Sequence, residues 1–340
     1  MTSSKSSNFD GFSNIKLVNN LIFDNSNTRK NINYTNPFDY FDTKNIWYKH
    51  FGQEYEVCMF LLSDDKKNNN IIAPMKIKDN EISLLGSKSL FDYQDLLYSF
   101  DYDEKNLSND IKKILYEIYN LKNIDNFMFE SVSELSPLYN YFNENDDELW
   151  DYEVVFEDVC PKVSLPNSWE SYLVNLKKKY RHELKRKIKR IHTSGTVNHY
   201  ELSKKSEIME NLDYFIQLMK SSSVDKSKFM TQDNQAFFID LIDNLKEKDN
   251  IVRLTFLEFD NTKVASSLSF VMNNTRYLYN SGYDPKFSDL SVGLINHAYA
   301  IKLSIKQNIK FFDFMRGNER YKYHLGSVDS KLYTINGKRK

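Results

Sequence analysis

Three strand-like runs in direct succession constrain the second half of this chain. They read IVRLTFLEF at 251–259, KVASSLSFVM at 263–272 and TRYLYNSGY at 275–283, the last two joined by Asn273-Asn274. Short runs rich in β-branched and aromatic residues, bounded by turn residues, form strands. A loop follows, then a helix over about 291–307 that buries Leu294, Ile295, Ala298, Ile301 and Ile305, then a strand, FFDFMRG, at 311–317. Apolar positions three and four apart make that helix. A short helix around NERYKYHLG and a last strand, SKLYTI, complete the chain. Strands alternating with helices indicate an α/β architecture.

A length of 340 residues suits two domains, at ~100–200 residues each. Pro161, with Pro166 five residues on, is the best boundary, because proline resists both helix continuation and a central strand. The expected division is a polar lead-in over 1–36, a first domain over 37–163 and a second over 164–340. The first contains a strand at 54–63, a hairpin over 68–86 turning at Asp79-Asn80, a helix over 108–122 and a strand at 127–132. An acidic run, NENDDELWDYE, then precedes the strand VVFEDV. The second domain opens on a helix capped by Asn167, with Glu170 completing a capping box. Its apolar stripe, Trp169, Leu173, Leu176, Tyr180, Leu184, Ile188 and Ile191, runs on to Gly195. A strand over 196–202 and helices over about 205–220 and 233–248 lead to the three strands.

Composition narrows the function classes. Lys and Arg total 46 against 47 Asp and Glu, a net charge of −1. That excludes a globally basic nucleic-acid binder, though not a local basic patch. The start of the chain is polar, with no apolar core of a signal peptide, and no apolar run approaches the ~18 residues of a membrane span. A cytoplasmic protein is expected. Cys58 and Cys160 sit in apolar, strand-like surroundings and read as buried thiols. The six histidines lack metal-ligand spacing, so no metal is expected. No GxGxxG, GxxxxGKS or GxSxG pattern occurs, which leaves dinucleotide, P-loop and nucleophile-elbow chemistry unsupported.

Glycine is scarce, 9 in all, and five lie after position 280: Gly282, Gly293, Gly317, Gly326 and Gly337. Ser291 can cap the helix that starts there, and Gly293 lies in its first turn. A missing Cβ there lets a ligand approach amides that have no helical partner. The positive end of the helix dipole favours phosphate. Gly282, Ser288, Ser291, Val292, Gly293 and Leu294 are the candidate cofactor-holding residues, with a plain capped helix start as the alternative. Upstream, nine basic residues and one acid, Glu183, lie between Lys177 and Arg190. With the apolar stripe inward, Arg181, Lys185, Arg186 and Lys189 form either an ordinary solvated face or a patch for a polyanion such as RNA, anionic lipid or a phosphorylated ligand.

Three segments together resemble the GNAT acyltransferase fold. They are KKKYRHELKRKIKR, GYDPKFSDLSVGLINHAYAI and DFMRGNERYKYHLG. The last is similar to the "D-F-x-R-G-x-E-x-Y-K" signature of the branch that includes cellulose-biosynthesis-associated (CelD-like) acetyltransferases, related to Fem-type peptidoglycan transferases. LLGSKSLFDYQDLL in the first half resembles the degenerate partner domain of such proteins, so the likeness covers about 40–335. Val292 departs from the pattern, because many relatives have proline there. The resemblance implies two tandem GNAT-like domains, mixed sheets flanked by helices, with the N-terminal one degenerate.

It also implies acyl transfer from a thioester, usually acetyl-CoA or another acyl-CoA, to an amine or hydroxyl. The acceptor class it suggests is a small molecule or saccharide, such as a cell-envelope precursor. The CoA pyrophosphate would lie on the amides after Ser291. Asp313 or Glu319 would serve as base or amine-orienting carboxylate, since an ordinary amine is protonated at neutral pH. Tyr321 or Tyr323 would protonate the departing thiolate. Arg316, Lys322, Tyr279 and Tyr283 are candidate acceptor or phosphate contacts. The alternatives are transfer from aminoacyl-tRNA on the same fold, and a non-catalytic protein that holds a polyanion on the basic helix.

Overall fold

The computed structural model describes residues 15–18, 31–63, 69–244 and 251–340. Most of the polar lead-in, and the end of the helix expected over 233–248, lie outside them. The chain divides into two compact units, Met1–Asp158 with Lys331–Lys340, and Val159–Ser330.

The first unit is built on one sheet. Its strands are β1 (Ile15–Val18), β2 (Glu56–Ser63), β3 (Asn69–Lys78), β4 (Glu81–Leu84), β5 (Leu97–Tyr98), β6 (Asn126–Ser133) and β7 (Trp150–Val159). The C-terminal strand of the chain, Lys331–Arg339, returns to lie between β6 and β7. This strand was expected to end the second half; instead it completes the first sheet. The β3–β4 hairpin turns where expected, with Asp79 at φ 56°, a conformation aspartate tolerates. Helices α1 (Phe41–Phe51), α2 (Leu107–Asn120) and α3 (Pro137–Glu144) accompany the sheet. Ile111, Ile114, Leu115 and Ile118 of α2 pack with Phe60, Phe127 and Trp150 in the core. The stretch after β4, within LLGSKSLFDYQDLL, is irregular, and the buried Lys44 and Lys76 donate to the Leu85 and Gly86 carbonyls. β7 starts at Trp150, so the acidic run supplies part of the strand rather than only preceding it.

The second unit has a sheet in the order β8-β13-β12-β11-β10-β9. The strands are β8 (Lys162–Ser164), β9 (Val197–Leu202), β10 (Val252–Phe259), β11 (Thr262–Met272), β12 (Thr275–Tyr283) and β13 (Phe311–Asp313). Only β12 and β13 pair in parallel, across the crossover helix α9 (Val292–Lys306). The fold is therefore α/β with mixed sheets flanked by helices.

The helix expected from 167 to 194 is two helices, α4 (Trp169–Asn175) and α5 (Lys178–Ser194). Leu176 and Lys177 between them are extended, at ψ 142° and 135°. The break lets Leu176 enter the core against Gly326, whose missing Cβ would lie 2.8 Å from its Cδ2. Ser168, not Asn167, caps α4 by accepting from the Ser171 amide. Helices α6 (Lys205–Ser222), α7 (Val224–Phe229) and α8 (Gln232–Asn244) connect β9 to β10.

Gly282 on β12 has a packing role. A Cβ there would meet backbone atoms of Leu218 and Met219 of α6 at 2.2–2.3 Å. At Gly293 a Cβ would meet only the Tyr283 ring, at 3.2 Å. Backbone in a packed helix cannot swing aside as a ring can. Gly282→Ala is therefore expected to destabilise the protein by roughly 1–3 kcal/mol or more, and Gly293→Ala by much less. Urea midpoints of the two variants against the parent check this; equal losses would show that α6 does not seat on Gly282.

Candidate active site

The parallel pairing of β12 with β13 lasts three residues, from Thr275↔Phe311 to Tyr277↔Asp313. Beyond it the chain after β13 turns away through Met315 at φ 55° and Gly317 at φ 107°. The strand expected over 311–317 therefore stops at Asp313. Leu278 to Tyr283 of β12 continue without a second strand partner among the described residues. Their other edge pairs with β11 through a bulge, where Leu268↔Asn280 is followed by Ser269↔Leu278 and Tyr279 is the extra residue. A bulge re-aims side chains and bends the strand. The result is a sheet that opens on one side of β12, next to the start of α9.

The start of α9 is anion-ready. Ser291 sits at φ 58°, ψ 37°, and its side chain makes no capping bond, contrary to the sequence expectation. First-turn amides lack intrahelical acceptors. The Ser291 hydroxyl instead accepts from Lys187 Nζ at 3.0 Å and from the Arg190 guanidinium at 3.3 Å, both on α5. Two cations and the positive end of a 15-residue helix thus converge on one hydroxyl. Val292 is buried in the core, so only its backbone can serve a ligand, and Leu294 packs inward. Ser288 is exposed, and its carbonyl accepts the Ser291 amide. Gly293 and Gly282 do not form an open cradle: the Tyr283 ring and α6 backbone occupy the space their missing side chains leave.

The basic helix reaches the site through Lys187 and Arg190, which lie on a different face from Arg181, Lys185, Arg186 and Lys189. Arg186 pairs with Glu183 at 2.8 Å, Arg181 donates to the Val174 carbonyl, and Lys185 and Lys189 are exposed. Lys187 and Arg190 are the ones that reach the α9 start. The signal was present, because Lys187 stands three residues after Leu184 and four before Ile191, at the edge of the apolar stripe.

Between the open edge of β12 and the turn after β13 lies a cluster of titratable groups. Lys226 of α7 donates to the Ser281 carbonyl at 2.5 Å. Burial lowers its pKa, with Lys322 adding to the effect and Glu319 opposing it. His297 of α9 is buried, stacks on the Tyr321 ring (centroids 5.1 Å apart), and its Nδ1 has no hydrogen-bond partner among the described residues. Burial, reinforced by Lys226, Lys322 and His199, pushes its pKa down to about 3. Burial raises the Tyr321 phenol far above its ordinary range, and Glu319 adds to that. Neither Lys226 nor His297 stands out in the sequence, because only the fold brings α7 and the buried side of α9 to one place.

The expected site residues divide by their surroundings. Asp313 is fully buried; one oxygen accepts the Met315 amide at 2.8 Å and the other lies 3.4 Å from Lys162 Nζ. Glu319 is the more exposed carboxylate and pairs with Lys322 at 2.9 Å. Lys322 is not a surface lysine: it is 2% exposed, and its ammonium donates to the carbonyls of Met315, Arg316 and Gly317 at 2.7–3.0 Å. An ammonium has three hydrogens, so the turn uses those that a phosphate or oxyanion would need. Arg316 is half-buried in that turn. Tyr323 donates to Asp329 at 2.7 Å. The Tyr279 ring stacks on Phe238 and packs on Phe270, which places it in the core rather than at an acceptor. Among the described residues no group of three or more His, Cys, Asp or Glu could hold a metal ion.

The state of His297 has a measurable consequence. An unfolded chain binds a proton on this histidine near 6.5, whereas the folded chain does not until about 3. The unfolded state binds more protons in that window, so stability falls as pH drops from about 6.5 toward 3. His297→Asn is expected to make the fall shallower in urea midpoints taken across that range. An unchanged slope would show that His297 is not held neutral.

Residues 178–323 match the family described as "Acetyltransferase (GNAT) domain". No curated protein matches the chain. Among solved structures, the chain is similar to a conserved protein of unknown function from Bacteroides thetaiotaomicron VPI-5482, with 13% identity, 88% of this chain and 90% of that one covered, and a TM-score of 0.58. It is similar to FemX, with 11% identity, coverage of 86% and 90%, and a TM-score of 0.57. It is also similar to L-PGS from Bacillus licheniformis, with 11% identity, coverage of 89% and 93%, and a TM-score of 0.53. At these identities the structures speak for the fold alone. The family match supports a GNAT-type acyltransferase domain over residues 178–323, and the similar structures share the fold that carries it.

Proposed function

We propose that the second unit transfers an acyl group from acyl-CoA, with acetyl-CoA the first choice, to an amine or hydroxyl of a sugar or cell-envelope precursor. The observation that carries this reading is the convergence of Lys187 and Arg190 on Ser291 at the uncapped start of α9. That arrangement suits a pyrophosphate, and the open edge of β12 beside it offers backbone groups to an amide-bearing arm. The likeness of DFMRGNERYKYHLG to the CelD-like branch supports CoA as the donor and suggests the acceptor class. A cytoplasmic location, where acyl-CoA is available, goes with this reading.

In the step itself the nucleophile's nitrogen or oxygen bonds to the thioester carbonyl carbon, and the C–S bond breaks. Glu319, the exposed carboxylate of the pair, takes the nucleophile's proton; Asp313 is occupied by the Met315 amide and Lys162. Tyr321 gives its proton to the departing thiolate. Stacking on His297 fixes the Tyr321 ring, and the neutral imidazole adds no charge beside the thioester.

Calorimetry with acetyl-CoA tests the donor. Saturable binding is expected, weakened by roughly 100-fold or more when Lys187→Glu and Arg190→Glu are combined, since charge-assisted contacts of this kind contribute roughly 1.5–3 kcal/mol each. Failure to bind acetyl-CoA while binding an aminoacyl-tRNA pool would replace this donor with the Fem-type one. Unchanged acetyl-CoA affinity in the double variant would refute the phosphate placement. Once an acceptor is in hand, Tyr321→Phe is expected to lower kcat on the order of 10²-fold with little change in KM, as loss of a general acid does. A change confined to KM would assign Tyr321 to binding instead.

A further inference from the structure

A cavity of about 700 Å³ opens on the second unit between the start of α4 and the C-terminal half of α9. Its volume is that of a small-molecule site, commonly ~300–1,000 Å³. Ser291 and Lys302 are eleven residues apart, about 16 Å along the helix, so this cavity is well separated from the start of α9. Nothing in the acyl-transfer reading uses it.

Its lining has one recognisable chemistry. Trp169 supplies an aromatic wall, backed by Tyr172 at 5.1 Å and 24°. Lys302 and Lys306 stand one helical turn apart on α9, both exposed, and neither pairs with a carboxylate among the described residues. The Lys302 ammonium lies 5.9 Å from the Trp169 ring centre. Asn167, Ser168, Glu170 and Asn308 add short polar groups around the rim. Behind the wall, His199 is held neutral, at about 4, by burial and the adjacent Arg276 guanidinium. Glu170, on the rim, is the one carboxylate among the lining residues, against the two lysines.

We propose that this cavity binds an anionic monosaccharide, a sugar ring carrying a phosphate or carboxylate. An aromatic face takes the C–H side of a sugar ring, the rim amide and carboxylate take its hydroxyls, and the two lysines take the anionic group. Ser168 and Asn167 are already bonded to Ser171 and Lys310, so Glu170 and Asn308 are the rim groups a sugar's hydroxyls would engage and a plain aromatic anion would not, while a neutral sugar would leave the lysines without a counter-charge. The cavity is a second ligand site and stands whether or not the chain transfers acyl groups.

The full chain carries a built-in reporter. Of its 3 tryptophans, Trp47 and Trp150 are buried in the first unit, and Trp169 alone lines the cavity. Tryptophan fluorescence is titrated with glucose 1-phosphate, with glucuronate, and with glucose as the neutral counterpart. A saturable change is expected with at least one anion, absent in Trp169→Phe and weakened about tenfold or more in the double variant Lys302→Gln, Lys306→Gln, as loss of a charged partner predicts. The two anions separate a phosphate from a carboxylate preference. Flat titrations with both, an equal response to glucose, or unchanged affinity in the lysine variant would each overturn the proposal. Coenzyme A is expected to leave the titration unaltered; competition would merge the cavity with the α9 start and overturn its independence. The lysines are exposed and bear on no core contact, so the variant is expected to fold, which circular dichroism confirms.

Discussion

The carbonyls of Met315, Arg316 and Gly317 are gathered by one buried ammonium, that of Lys322. A buried carbonyl left without a donor costs about 1–3 kcal/mol, so three pointing the same way would not persist unaided. The ammonium makes the turn affordable, and the turn ends β13 after three residues. Had β13 continued, it would have covered the edge of β12 with ladder hydrogen bonds. The opening beside β12, the position of Tyr321 on the helix that carries Lys322, and the approach of Glu319 all follow from that one interaction. A lysine suited by charge to hold a ligand instead fixes the frame in which a ligand would be held.

The second determinant is the approach of α5 to the start of α9. A helix start with a left-handed Ser291 and no side-chain cap is poorly satisfied by itself. Placing Lys187 and Arg190 on its hydroxyl adds positive charge where the dipole is already positive. Like charges gathered around a positive pole oppose folding. Glu183 offsets part of that charge, its carboxylate lying 3.7 Å from Lys187, and under the proposed function a phosphate would complete the rest.

Much of this was legible in the sequence, and the limits have causes. Strand and helix order in the second unit followed from periodicity, because each element buries one regular face. The break at Leu176 was not legible: the apolar stripe continues across it, and only the need to pack against Gly326 interrupts the helix. The early end of β13 was hidden for the same reason, since FFDFM has strand composition and the deciding partner, Lys322, lies seven residues beyond Met315. The return of the last strand to the first sheet is a long-range pairing that no local pattern encodes. Within the site, the segment after Asp313 announced itself through its motif. Lys226 and His297 did not, because a lysine on a polar helix and a histidine on an apolar one look ordinary until the sheet places them together.

Helix α9 joins these parts. Its composition suggests a plain core helix, yet it buries Asn296, His297 and Ser304. Ser304 bonds back to the Ala300 carbonyl, and Asn296 donates to Ser267, which is bonded in turn to Thr255 at 2.6 Å. A core helix designed for packing alone would carry apolar residues at those positions, since each buried polar group must find a partner or cost free energy. His297 has no partner at Nδ1 and stays neutral at the expense of stability below about 6.5. Asn296 Oδ1 also lacks a hydrogen-bond partner among the described residues, so polar atoms on two successive residues of α9 are left open. Rules of local consistency are broken in natural proteins mainly where function requires it. By that argument the open atoms of Asn296 and His297 are where α9 departs from a helix built for packing alone, while the hydroxyls of Ser304, Ser267 and Thr255 are bonded.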